Sequence, residues 1–165
     1  MFFGMPEPFE VHLIVDGFNV AHAWPDVAGL FGRGVGVVVE ALTAQLKEIH
    51  DGRLCRVSLV FDGKGREVER LRPFADSTFV QIFSPSSATA DAVVEQMVSG
   101  ASEPGLIFVA SRDQFVVDAV EASGATALSP DALGDWLRLC RREAARAIKK
   151  RSSGSENAWG NRLPL

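Results

Sequence analysis

The chain is poor in the residues that build covalent or thiolate-metal frameworks. Only two cysteines occur in 165 residues, Cys55 and Cys140, with no CxxC pair and no clustered His/Cys set. That argues against a disulfide scaffold or a zinc site and fits a reducing compartment. No apolar run approaches the ~20 residues of a membrane span. The opening MFFGMPEPFE lacks the basic start and long apolar stretch of a signal peptide. A cytoplasmic protein with no membrane partner is expected. Several enzyme signatures are absent too: there is no GxxxxGK(S/T) phosphate loop, no GxGxxG after the first predicted strand and no nucleophile elbow.

What is present is ordinary in bulk and uneven in detail. The apolar fraction of 47% and charged fraction of 23% suit one globular α/β domain of this length. Residues 138–165 hold eight Lys/Arg against Glu143 and Glu156, a net +6, so with the whole chain at −4 residues 1–137 carry −10. An acidic body with a basic C-terminal segment can grip a polyanion, although a solvated helix with a solubilising tail has the same composition. Arg142, Arg146 and Lys149 lie at three- and four-residue steps and are the candidate polyanion contacts.

Short apolar runs at 10–15, 54–61, 78–83 and 105–110 read as buried strands, with a short fifth at 124–128. Helical spacing covers 35–50 and 89–100, a further helix starts at Ser111, and the last is opened by Ser129-Pro130 and runs to about residue 150. Residues 17–34 and 63–77 read as loops. Strands alternating with helices predict an α/β class, a three-layer α/β/α sandwich around a mainly parallel sheet. Residues 1–150 form a single domain on this reading, and 151–165 a mobile tail with Trp159 as a possible anchor.

Four segments then stand out: VHLIVDGFN, VSLVFDG, SATADAVVE and IFVASRDQF. Each places an acid, Asp16, Asp62, Asp91 or Asp113, at or just beyond the end of a predicted strand. In a parallel sheet those strand ends share one edge, and ligands bind in the crevice there. Each acid has an ordinary reading of its own. Asp16-Gly17 and Asp62-Gly63 are turn signals, Asp91 suits a helix first turn, and Ser111 with Gln114 makes a capping box around Asp113. Separate explanations leave the recurrence at one edge unaccounted for. Gathered carboxylates with few basic neighbours need a cation, and hard oxygen ligands suit magnesium or manganese. Glu95, four residues after Asp91 on the same helical face, adds repulsion that a cation relieves. Asn19 can supply a neutral oxygen or an amide donor to the same loop. Among the histidines, His12 and His50 read as structural and His22 as a possible substrate contact. Phe18 and Trp24 could stack on bases or pack in the core.

The order and wording of these segments resemble the YacP-like NYN-domain proteins, bacterial members of the PIN-like nuclease superfamily, over residues 10–148. DGFNVAHAWP is similar to that family's D-G-Y-N-x-x-x-x-W-P, TADAVVE to its T-A-D-x-x-I-E, and VASRDQF stands at its V-x-S-D. The resemblance implies a PIN-like Rossmannoid sandwich and divalent-metal RNA cleavage. Asp16, Asn19, Asp91 and Asp113 would be catalytic, and Asp16, Asp91, Asp113, Glu95 and Asp62 would hold Mg2+ or Mn2+. RNA is the implied partner, with ribosome association one setting for it; oligomeric state stays open. Phe18 replaces the family's tyrosine. Ser111-Arg112-Asp113 puts the acid one place late, a rotation of about 100° if the helix has already begun. Either the turn adjusts or Asp113 misses the metal, so an inactive RNA- or ribosome-binding module on the same fold is the alternative. A receiver-like phosphoacceptor is a weaker third, since strand one ends in a single acid and no lysine follows the late strands in the required place.

Overall fold

The structure, a computed structural model, describes residues 4–160, with side chains to residue 154; the anchoring role expected of Trp159 lies outside these. The described residues form six strands and six α-helices. They are β1 (His12–Asp16), α1 (Gly17–Ala23), α2 (Pro25–Ala28), α3 (Val35–Arg53), β2 (Arg56–Phe61), β3 (Glu69–Leu71), β4 (Phe79–Phe83), α4 (Ala90–Ser99), β5 (Ile107–Ala110), α5 (Gln114–Ala122), β6 (Thr126–Leu128) and α6 (Pro130–Gly160).

The strands form one sheet in the order β3-β4-β2-β1-β5-β6. All pairings are parallel except β3 with β4. β1 is central, with Val15 opposite both Leu59 of β2 and Ala110 of β5. Its Leu13, Ile14 and Val15 are fully buried because helices cover both faces. Leu13 and Val15 face a core shared with α3 (Val38, Leu42, Leu46, Ile49) and α6 (Leu133, Leu137). Ile14 faces the opposite core, built with α4 (Val94, Val98) and α5 (Val116, Val120). The expected three-layer sandwich is therefore the fold. Truncating a fully buried side chain such as Leu42 to Ala would cost about 2–5 kcal/mol.

The chain builds β2 and β4 on one side of β1, then crosses to β5 and β6 on the other, with the helices changing face. That reversal is a topological switch point. It opens a crevice beyond the C-terminal ends of β1 and β5.

Three segments differ from the sequence expectation. Residues 17–28 form two short helices instead of a loop. β1 passes directly into α1, so Asp16-Gly17 marks a strand-to-helix junction. Glu69–Leu71, inside an expected loop, adds an antiparallel edge strand whose exposed residues show no alternation to read. α6 runs on to Gly160, past the expected end near residue 150.

Candidate active site

β1 carries Asp16 to the C-terminal edge of the sheet. Asp16 holds the N-cap position of α1, yet its carboxylate caps nothing. Ser111 Oγ donates to Asp16 Oδ2 instead, at 3.1 Å. The junction tolerates only glycine at residue 17: a Cβ there would lie 2.4 Å from the Phe61 ring and 2.8 Å from the Val60 carbonyl oxygen. One turn into α1, Asn19 Oδ1 accepts the Arg112 backbone N–H at 2.7 Å. Ser111 also approaches Asn19 Oδ1 at 3.4 Å. A hydroxyl has one proton, so the shorter contact to Asp16 is the stronger.

Asp91 lies in the first turn of α4, whose cap is Thr89, accepting from Ala92 N–H at 3.1 Å. Asp62 follows β2 and accepts Ala90 N–H at 2.8 Å, which ties that strand end to the start of α4. Asp113 is the N-cap of α5 and accepts Phe115 N–H at 2.9 Å, while its own N–H donates to Ser111 Oγ at 3.1 Å. The capping box expected between Ser111 and Gln114 does not form. Ser111 precedes the helix, and its hydroxyl is committed to Asp16. Because Asp113 has extended backbone, with φ −70° and ψ 118°, the helical rotation argued for its one-place shift does not apply.

Asp16 and Asp91 feel the charges of the neighbouring acids. Asp16 is 5% exposed. Its pKa is pushed up to about 7, first by desolvation and next by the charge of Asp91; Asp62 adds to the rise and the Ser111 hydrogen bond opposes it. Asp91 is raised as well, mainly by desolvation, with the charges of Asp113 and Asp62 contributing and its hydrogen bond with Asp16 opposing. Asp16 and Asp91 are thus neighbours across the crevice. Glu95 is exposed one turn along α4 and lines the groove between α4 and α5 beside Ala92, Gln96 and Ala119.

The donor set has the chemistry of a magnesium or manganese site: hard carboxylate oxygens, an amide oxygen and mutual repulsion that a cation would relieve. Among the described residues, no three His, Cys, Asp or Glu side chains already form a metal cage. Magnesium needs less than a cage, since it keeps several waters and is commonly held by one or two carboxylates plus substrate phosphate. Asp16 and Asp91 meet that requirement.

Ser111 is the site residue that sequence reasoning assigned to another role. Its available signal was position: it follows β5 just as Asp16 ends the neighbouring β1. Phe18 packs on Phe61 with ring centroids 4.8 Å apart. Trp24 is buried, and its Nε1–H donates to the Pro130 carbonyl at 2.8 Å. His22 is exposed and stacks on Phe31 at 4.1 Å. His12 Nε2 meets Ser58 Oγ at 2.7 Å, and His50 Nε2 meets Thr78 Oγ1 at 2.7 Å, both as expected of structural histidines. A cavity of about 390 Å³ lies at the opposite strand edge beside His12 and Arg56. The acids are not there.

The basic segment leaves the body from that opposite edge. α6 starts beside the end of β6 and runs back along α3, so that a Cβ on Gly52, near the end of α3, would touch Cys140 Sγ at 2.8 Å. Arg141 pairs with Glu48 at 2.9 Å and Arg138 with Asp135. From Arg141 to Gly154 every residue is exposed, Arg142, Arg146 and Lys149 included.

A doubly wound sheet with carboxylates at its switch point defines an α/β protein with an acidic site at the strand edge. The sequence matches the YacP-like NYN domain over residues 13–164, and the chain belongs to that nuclease-like family. The fold is similar to the crystal structure of a single-substitution mutant of Rae1 (YacP) from Bacillus subtilis, with a TM-score of 0.71 and 26% identity over 87% of this chain and 84% of that one. It is also similar to a crystal structure of Rae1 (YacP) described without a substitution, with a TM-score of 0.68 and 25% identity over 88% and 84% of the two chains. No curated protein matches the chain. Among the described residues, no helix is long and apolar enough to cross a membrane.

Proposed function

We propose that the protein is a divalent-metal-dependent endoribonuclease whose centre is the acidic edge. The observation that carries this reading is the nearly buried Asp16 at the switch point beside Asp91, its pKa raised to about 7 by burial and by that second carboxylate. A buried acid beside a half-buried one costs stability unless a positive species satisfies the pair, and such costs concentrate where function requires them. Membership of a nuclease-like family supports the same reading.

Asp16 and Asp91 would hold Mg2+ or Mn2+, with Asp113 close behind Asp91 and Asp62 and Glu95 as outer acids. A bound ion supplies charge neutralisation at the scissile phosphate and acidifies an attacking water. The chain's own residues do the positioning. Ser111 fixes the Asp16 carboxylate through Oδ2. Asn19, with its oxygen occupied by the Arg112 N–H, keeps its amide hydrogens for a phosphate oxygen. Arg142, Arg146 and Lys149 add sequence-independent phosphate contacts remote from the cut. RNA is the proposed partner, and ribosome-associated RNA one proposed setting.

A second reading has an observation behind it. Asp113 is engaged as a helix cap and no complete cage stands ready, which suits a non-catalytic RNA-binding module. Incubating labelled RNA with the protein in Mg2+, Mn2+ or EDTA separates the two. Fragments that appear with metal and vanish with EDTA support the nuclease; intact RNA in every lane, with RNA still bound, supports the binding module.

A further inference from the structure

Three exposed cations share the acidic edge: Lys64 and Arg66 on the loop leaving β2, and Arg112 on the loop leaving β5. Both loops are pinned. Gly63 N–H donates to Ser84 Oγ at 3.3 Å and Ser86 N–H to the Gly65 carbonyl at 2.8 Å. A Cβ on Gly63 would lie 2.2 Å from the Ser84 carbonyl oxygen, so only glycine permits that approach. The Lys64–Arg66 loop is therefore held against the segment that feeds α4 and Asp91. Arg112 is held through its N–H to Asn19, between the serine that fixes Asp16 and the Asp113 cap.

The strand order β2-β1-β5 sets these loops on either side of Asp16. Strands lie ~4.8 Å apart, so the loop bases are separated by roughly 10 Å, a span that long flexible side chains widen or narrow. Among the described residues, none of the three cations forms an ion pair, although four carboxylates lie at the same edge. A cation folded into the cluster would quench the field that attracts a divalent ion. Held outside it, the cation meets the next anion to arrive.

We infer that Lys64, Arg66 and Arg112 form a phosphate-holding rim, gripping the RNA backbone on both sides of the phosphate over Asp16. The inference rests on the RNA reading above and adds where the strand is held. The α6 arm cannot supply this grip, because it departs from the opposite edge. Arg112 occupies the extra position in this chain's Ser-Arg-Asp, and its guanidinium suits bidentate phosphate contact.

The test is fluorescence anisotropy with a labelled single-stranded RNA of about 10 nucleotides, titrated in EDTA across a salt series. Four proteins are compared: wild type, Lys64→Gln/Arg66→Gln, Arg112→Gln, and Arg56→Gln, which matches the single charge loss of Arg112→Gln at the opposite edge. The double variant should bind about tenfold more weakly and Arg112→Gln about threefold, with the salt slope falling by ~0.7 per lost contact on a single strand. Arg56→Gln should match wild type. Rim variants with wild-type affinity and slope overturn the inference, as does an equal loss in Arg56→Gln. A protein that binds through the rim yet never cleaves with metal defeats the nuclease reading alone. Normal cleavage with indifferent rim variants defeats the rim alone.

Discussion

The acidic edge and the basic arm are opposite in more than charge. The acidic edge is assembled from segments far apart in sequence, joined by hydrogen bonds that span 92–95 positions, Ser111 to Asp16 and Arg112 N–H to Asn19 among them. Asp16 and Ser111 are buried, and Asn19, Asp91 and Asp113 half-buried. The arm from Arg141 to Gly154 is exposed helix that displays charge. Among the described residues, the last ion pair between arm and body is Arg141 with Glu48. One region spends fold stability on placing like charges together; the other places cations where water screens them. Geometry matters at the first, and charge count at the second.

The largest expected effect belongs to the acidic edge. Asp16→Asn removes one charge at constant volume and should lower metal-dependent cleavage by at least about a hundredfold, the scale on which a key electrostatic group acts. It should also raise the melting temperature of the metal-free protein at pH 8, because a repelling carboxylate is gone. A variant that cleaves at the parent rate reduces Asp16 to a junction residue and erases the contrast with the arm.

The two ends of β1 should respond to pH with opposite signs. His12, at the N-terminal end, has its pKa lowered to about 4 by burial and then by the charge of Arg56. Its folded pKa lies below the unfolded value near 6.5, so its contribution is present above 6.5 and lost as pH falls through 4. Allowing for partial exposure, that loss is on the order of 2 kcal/mol. Asp16, at the other end, has a raised pKa of about 7. Its contribution is full below the unfolded value near 3.8 and is lost as pH rises through 7. Denaturant unfolding from pH 4 to 8 should show a shallower acid limb for His12→Gln and a shallower alkaline limb for Asp16→Asn. Limbs unchanged in both variants would contradict the electrostatic account of the strand.

The smallest effect on the fold is expected in the arm. Neutralising Arg142, Arg146 and Lys149 to Gln should leave stability within about 0.5 kcal/mol, as for exposed residues generally. It should weaken binding of long RNA several-fold and flatten the salt dependence. Unchanged affinity at every salt concentration makes the arm a solubilising helix.

The buried strands were legible because a sheet covered on both faces writes continuous apolar runs such as HLIV and SLVF. Thr89 and Ser129 were legible as caps because local chemistry decides a cap. Asp16 and Asp91 could be placed at one edge because parallel topology alone puts strand ends together. Ser111 could not be read in its true role. Its choice between capping α5 and holding Asp16 depends on β5 pairing with β1, a contact between distant segments. α1 hid behind a turn signal, because Gly17 is required by the Phe61 ring rather than by a turn. The opposition between acids and arm was invisible for the same reason: charge segregation along a chain carries no direction until α6 is laid against α3.

The most direct measurement is anomalous diffraction from a crystal soaked in manganese. The account predicts one ion or a close pair at the switch point, bound by Asp16 and Asp91 with oxygen distances of roughly 2.0–2.3 Å, as hard-ligand coordination requires. The Asp16→Asn crystal, treated identically, should lose that density. Manganese elsewhere, or an empty acidic edge in crystals that bind the ion at other sites, would contradict the central claim that these carboxylates converge to hold a cation.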